Sequence, residues 1–272
     1  MSSTLLSPDL VNALRRLRLG QIVATLPDRI ALAEKQGTPF QDLLLSVLTD
    51  EVQRRNSSAA ERRAEEAGLD PDMTFERFDA SAKISYDKRL LNELCSLRFL
   101  HTHRHVTLLG PVGVGKTFIA NALGHLACQQ GHRVLFTRAD AMLQTLRRSR
   151  FDNSRDNEMH RLTTIDLLIV DDFALELMTR DESKDVYQLF VERTGHGSMI
   201  LTSNRDTSEW LAMFDDALRA QSAVDRFANA AFDLVIEGES YRCRQKPTLE
   251  EDSGTSKAPA KSRSRSTRRR RR

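Results

Sequence analysis

The chain has 272 residues, 40% hydrophobic and 29% charged, with 41 Lys and Arg against 38 Asp and Glu for a formal charge of +3. That composition supports a packed core and excludes a globally disordered chain. No stretch approaches the ~18 consecutive apolar residues of a membrane-crossing helix. The small total charge hides an asymmetry: residues 257–272 carry nine basic side chains and no acid, leaving 32 basic against 38 acidic residues elsewhere. A mildly acidic body with a basic tail points to a polyanionic partner. The first twenty residues lack the layout of a signal peptide. Three scattered cysteines, Cys95, Cys128 and Cys243, argue against a disulfide framework and for a reducing, cytoplasmic setting.

Residues 8–66 carry almost no strand signal. Leu10, Leu14, Leu17 and Leu19 recur near helical spacing among Arg15, Arg16 and Arg18. Thr38-Pro39-Phe40-Gln41 reads as a helix start, with Thr38 as N-cap and Pro39 in the first turn. The apolar helix that follows turns polar at Gln53-Arg54-Arg55. A further Arg- and Glu-rich segment runs from Ala59 to Ala67, and Gly68 to Asp72 breaks it. The expectation is a small all-helical domain over 1–70.

Beyond about residue 80 short apolar runs alternate with helix-length segments. The runs are Val106–Leu109, Arg133–Thr137, Asp166–Val170, Ser198–Thr202 and Phe232–Ile236; the helices include Thr117–Gln130 and Lys184–Thr194. Such alternation implies an α/β fold, a parallel sheet covered on both faces. The expected domain spans 71–246, and the Pro-, Ser- and charge-rich 247–272 is expected to be a disordered tail.

Gly110-Pro111-Val112-Gly113-Val114-Gly115-Lys116-Thr117 matches G-x-x-x-x-G-K-T, the P-loop. It follows a strand and opens a helix, where backbone N–H groups and the helix N-terminus can cradle phosphates. Lys116 would neutralise β/γ-phosphate charge and the Thr117 hydroxyl would ligate Mg2+. The apolar run Leu167–Val170 ends in Asp171-Asp172. A strand of a parallel sheet delivers such an acid to the edge beside the P-loop. Asp171 would hold Mg2+ and Asp172 would polarise the attacking water. Thr202-Ser203-Asn204 closes another run, and the Asn204 amide could position that water. Arg226, in Ala223-Val224-Asp225-Arg226-Phe227, is placed to reach a neighbouring subunit's nucleotide, where arginine stabilises transition-state charge.

In order and spacing, GPVGVGKT, DLLIVDD, ILTSN and VDRF resemble AAA+ ATPases of the helicase-loader and initiator group. FDAS (78–81), TSNRDTSEW (202–210), SAVDRF (222–227), GESYR (238–242) and EVQRR (51–55) narrow the resemblance to the IstB-like transposition helper ATPases, over about residues 10–245. The resemblance implies a P-loop AAA+ five-stranded parallel sheet with flanking helices, preceded by a small helical domain. Gly110 to Thr117 then become Walker A, Asp171-Asp172 Walker B, Asn204 sensor 1 and Arg226 the arginine finger. It also implies ATP and Mg2+ as cofactors, DNA and a transposase as partners, ATP-dependent homo-oligomers and no membrane. The second Walker B acid is usually Glu; Asp172 is one methylene shorter, so weak or stimulated hydrolysis is expected. With 46 residues after Arg226, a full helical lid does not fit, so the lid is expected to be absent or vestigial.

Other basic clusters are candidate phosphate contacts: Arg147, Arg148, Arg150, Arg155 and Arg161 between the second and third strands, Arg54, Arg55, Arg62 and Arg63 near the N-terminus, and the tail. A solvated helix face is the alternative for each internal cluster. His101-x-His103-x-His105 has metal-like alternation but no carboxylate or Cys nearby, and Trp210 reads as packing. A DnaC-like replicative helicase loader shares the same core and is the main alternative. A small-molecule kinase would need an acceptor pocket and lid, and a scaffold that gates on nucleotide without hydrolysis is left open by Asp172.

Overall fold

The computed structural model describes residues 6–79, 81 and 83–241. The five predicted strands form as β2 (His105–Leu109), β3 (Val134–Arg138), β4 (Leu167–Asp171), β5 (Ser198–Ser203) and β6 (Ala231–Val235). They make one parallel sheet in the order β3-β4-β5-β2-β6. A strand with both faces covered reads as a continuous apolar run; in β4 all five residues are buried. Its side chains divide with period two. Leu167 and Ile169 join a core with Leu123 of α6 (Lys116–Gln129) and Leu94 of α4 (Lys88–Cys95). Leu168 and Val170 join a second core with Leu146 of α7 (Ala139–Ser149), Met159 of α8 (Arg155–Thr164), Leu189 of α9 (Arg180–Arg193) and Phe227 of α10 (Ala217–Ala228). A short helix, α5 (Arg98–His101), leads into β2.

Two helices precede the sheet's own layers: α1 (Pro8–Arg16) and α2 (Ile22–Gln36), followed by α3 (Phe40–Glu66). The start of α3 differs from the predicted cap. Gly37, at φ +64°, closes α2, and the Thr38 N–H donates to the Ala33 carbonyl, 2.9 Å. Thr38 is thereby spent on the preceding helix, and Pro39 occupies the cap position without a side-chain bond. The predicted pair of segments is one 27-residue helix. Glu51, buried within it, accepts from Arg54 (2.8 Å) and Arg55 (2.7 Å). Those i,i+3 and i,i+4 pairs hold the helix together through its polar middle. The second half of α3 brings Ala64 against α6, and Ala67 and Leu69 extend the same core.

A two-stranded antiparallel ribbon, β1 (Ile84–Ser85) with β7 (Glu237–Gly238), was not foreseen. It is too short to show a period. After α10 the described residues hold only β6 and β7 before Tyr241. No helix among them is long and apolar enough to cross a membrane.

Candidate nucleotide-binding site

The loop between β2 and α6 is glycine-rich for reasons the packing makes specific. Gly110 (φ +148°) lies under the Ile236 carbonyl, where an added Cβ would come within 2.1 Å of the oxygen. Gly113 (φ +85°) lies under Ser240 with the same 2.1 Å clearance. Gly115 (φ +98°) caps α6 with nothing within 4 Å of a would-be Cβ. Gly110 and Gly113 need both the positive φ and the missing side chain, and Gly115 needs the positive φ alone. The Ile236 N–H donates to the Leu109 carbonyl, and the Tyr241 N–H to the Gly113 carbonyl, each at 2.8 Å. The segment around β7 is therefore a strap lying along the loop.

Lys116 is buried at the first turn of α6, its ammonium donating to the Gly110 and Pro111 carbonyls (both 2.8 Å) and to Asn204 Oδ1 (2.6 Å). The Thr117 hydroxyl donates to Asp171 Oδ1 at 2.9 Å. Thr202 Oγ1 donates to the same carboxylate oxygen at 2.6 Å and accepts the Asp172 N–H at 2.9 Å. One hydroxyl thus fixes both acids. Asp172 stands at φ +55°, an uncommon conformation for a non-glycine residue. It turns partly out of the sheet, with Arg138 Nη2 at 4.0 Å from Oδ2. Arg138, at the end of β3, is held firmly protonated by Asp140 first and then by Asp172 and Asp171. Five of the sequence-predicted positions, Lys116, Thr117, Asp171, Asp172 and Asn204, so meet at the carboxyl ends of β2, β4 and β5, where open α/β sheets bind ligands.

The buried ammonium and the glycine positions stripped of side chains suit a polyphosphate. The Thr117 hydroxyl and Asp171 carboxylate are the oxygen donors a hard cation such as Mg2+ takes.

The model of the IstB-like ATP binding protein family matches residues 12–248. The chain belongs to this family. It is 36% identical over 241 residues to an insertion-sequence ATP-binding protein of Mycobacterium tuberculosis, covering 88% of this chain and 96% of the relative. It is 33% identical to the IS21 ATP-binding protein of Pseudomonas aeruginosa, over 86% and 88%. Among solved structures, the replication initiator DnaA bound to AMPPCP and single-stranded DNA superposes with a TM-score of 0.52 at 24% identity, over 63% of this chain and 51% of that one. The P-loop AAA+ fold expected from the sequence is the fold of this IstB-like chain.

Other predicted residues lie apart. Arg226 is exposed near the end of α10, with no hydrogen bond or ion pair among the described residues to Lys116, Asp171 or Asp172. Arg150 Nη2 and Arg155 Nη2 both donate to Asp185, 2.6 Å each. Arg161 pairs with Glu158 (3.0 Å) and Arg62 with Glu66 (3.6 Å). Arg63 donates to the Cys128 carbonyl (3.1 Å), and Arg54 and Arg55 are turned to Glu51. Of the predicted clusters' described members, only Arg147 and Arg148 carry neither an ion pair nor a side-chain hydrogen bond to another described residue. The basic tail and Cys243 lie outside those residues. His105 is buried in β2, stacked on Phe227 at 4.7 Å. Trp210 is fully buried, its indole N–H donating to Ser203 Oγ (3.2 Å).

The sequence reading missed Thr202, Arg138 and the strap at Ser240. Thr202 carried one usable signal, a hydroxyl closing an apolar strand two residues before Asn204.

Proposed function

We propose that this IstB-like protein is a DNA-binding ATPase that serves an insertion sequence, assembling on DNA with ATP and presenting it to the partner transposase. Hydrogen bonds linking Lys116 to Asn204, and Thr117 and Thr202 to Asp171, carry the reading. They tie the phosphate loop to two strand ends, which supports a site built for nucleotide hydrolysis. The glycine-flanked loop and Lys116 hold the triphosphate. Thr117 and Asp171 hold Mg2+, which when bound offsets phosphate charge. Asn204 orients a water against the γ-phosphorus. Asp172 takes its proton as the new P–O bond forms and the bond to the β,γ-bridging oxygen breaks, leaving ADP and phosphate. Arg226 of a neighbouring copy supplies positive charge to the transition state, which makes turnover depend on assembly. The shorter carboxylate at Asp172 favours slow, DNA-stimulated turnover. Residues 1–70 serve as the DNA- or partner-binding unit and the Arg-rich tail as an added phosphate contact, in the cytoplasm. Names of the relatives place them with insertion sequences, which favours this reading over a helicase loader.

The test is Lys116→Ala, measured for binding of an ATP analogue, for sedimentation with DNA, and for phosphate release with and without DNA. Loss of all three is expected. A variant that still binds nucleotide and assembles like the parent would sink the proposal, and a parent that releases no phosphate under any condition would leave a nucleotide-gated scaffold.

A further inference from the structure

Between α7 and α8 the chain makes a tip at residues 150–154 that is fixed at both ends by one buried carboxylate. Asp185 of α9 is 1% exposed. Arg150, entering the tip, donates to its Oδ1 at 2.6 Å; Arg155, leaving it, donates to the same oxygen through Nη2 at 2.6 Å and Nε at 2.9 Å. Gln188 takes a further 2.6 Å bond from Arg155. The tip is also closed internally. The Phe151 N–H donates to the Arg148 carbonyl (3.0 Å), the Ser154 N–H to Ser149 (2.9 Å), and the Ser154 hydroxyl to Asp152 (2.6 Å), with Asn153 at φ +60°. Such a loop has little freedom to fold its side chains back.

Yet this tip holds Phe151 87% exposed, with no aromatic neighbour among the described residues. A single exposed apolar residue is ordinary on a protein surface; a phenyl ring presented on a doubly clamped tip beside unpaired guanidiniums is a more specific arrangement. Arg150 still has helical backbone angles, so Phe151 lies three and four residues on from Arg148 and Arg147, on their side of the helix. Both arginines are exposed, and neither has an ion pair among the described residues. Two free guanidiniums suit phosphates of a nucleic-acid strand. A flat apolar ring beside them suits the face of a base that has lost a stacking neighbour.

We infer that Phe151 is a wedge that takes up the exposed face of a nucleobase in bound DNA, with Arg147 and Arg148 holding the flanking phosphates. This rests on the DNA-binding reading above and names the contact through which it would distort or grip DNA. The exposed base face could come from a kinked duplex step or from a single strand, and both are tested.

Full-length chain with a non-hydrolysable ATP analogue is added to a thymine-containing duplex and to a single strand of the same sequence. In the duplex arm, permanganate oxidation of thymines at a discrete step is expected to rise several-fold with the parent protein. Phe151→Ala should abolish the rise while DNA stays bound, and Phe151→Leu should keep it. In the single-strand arm, Phe151→Ala is expected to weaken binding roughly 5- to 150-fold, with Phe151→Trp restoring it. Replacing Arg147 and Arg148 with Ala should lower affinity for every sequence and cut the salt slope by about 2. Parent-like behaviour of Phe151→Ala in both arms overturns the wedge while leaving DNA binding intact. A change in assembly size without any change on DNA overturns it in favour of a contact between copies. A parent that binds no DNA even at low salt overturns the DNA-binding reading and the wedge with it.

Discussion

The N-terminal helices and the sheet solve the burial problem in opposite ways. α1 buries no residue, and α2 buries only Ile22 and Ala33. Along the first half of α3, Phe40, Leu44, Leu45 and Val52 are all more than half exposed. Around the sheet, Val106, Leu108, Leu167 to Val170 and Met199 to Leu201 are at 0% exposure. Helices satisfy their backbone hydrogen bonds internally and can persist with one face bare, whereas a parallel strand needs neighbours and cover on both sides. The N-terminal segment therefore depends on local caps and pairs such as Glu51 with Arg54 and Arg55, which hold the Glu51 carboxylate down at about 2. The sheet depends on long-range packing, and its sensitivity to substitution should differ accordingly.

The largest effect is expected at Arg193. It is fully buried at the end of α9, and its guanidinium donates to the carbonyls of Leu162 (2.6 Å), Ile165 (3.0 Å) and Ser198 (2.5 Å). It thereby joins the end of α8 to the starts of β4 and β5. Gly197 leaves room for it, since a Cβ there would meet Nη2 at 2.8 Å. Burial pushes its pKa down to about 10, which still leaves it charged at neutral pH. Arg193→Leu strips several buried carbonyls of their donor and should cost roughly 3–5 kcal/mol in urea unfolding. A loss below 1 kcal/mol would mean that water or relaxation replaces the arginine, and the contrast between the two regions would weaken.

This division also decides how much was legible in the sequence. Strands buried on both faces, as β2, β4 and β5 are, announce themselves, and the partly exposed edge strands β3 and β6 keep enough of the apolar pattern that each of the five lies within a residue of its predicted span. The phosphate loop was complete because its chemistry is local, running from Gly110 to Thr117. Thr202 was not legible as a partner of Asp171 and Asp172, because its role follows from β4 lying beside β5, with Val170 opposite Leu201. No local spacing encodes that adjacency, or the one that lays Ser240 over Gly113. The basic clusters misled for a related reason. Arg150 and Arg155 look free until α9 brings Asp185 between them. Arg54 and Arg55 carried a warning in Glu51, three and four residues before them.

An intermediate effect is expected at His105 as pH falls. Its ring lies inside β2, and the Met199 N–H donates to Nδ1 (3.2 Å), so the neutral ring keeps its proton on Nε2. Burial, then the charges of Arg193 and Arg104, lower its pKa to about 4. In the unfolded chain the ring titrates near 6.5. Between these values the unfolded state binds more protons, so stability falls as pH drops through that window. The contribution is up to about 3 kcal/mol, fully present above pH 6.5 and gone below 4. Measured against His105→Gln at matched pH, the parent should lose more stability between pH 6.5 and 4. Parallel curves would show that the buried ring charges without penalty. Because Arg193 is one of the causes, Arg193→Leu should shrink the same window.

The smallest effect belongs to the exposed face of α3. Leu45 is 65% exposed, so Leu45→Gln removes little contact from the folded chain. An exposed substitution away from caps and networks changes stability by about 0.5 kcal/mol or less. Leu108, at 0% exposure in β2, gives the opposite limit, since truncating a buried leucine to alanine costs about 2–5 kcal/mol. Urea unfolding of both variants at low protein concentration compares the two regions directly. Should Leu45→Gln cost more than about 1 kcal/mol, or should its cost grow with protein concentration, the face is covered in solution. The N-terminal helices would then draw on burial as the sheet does, with the cover supplied from outside the folded monomer.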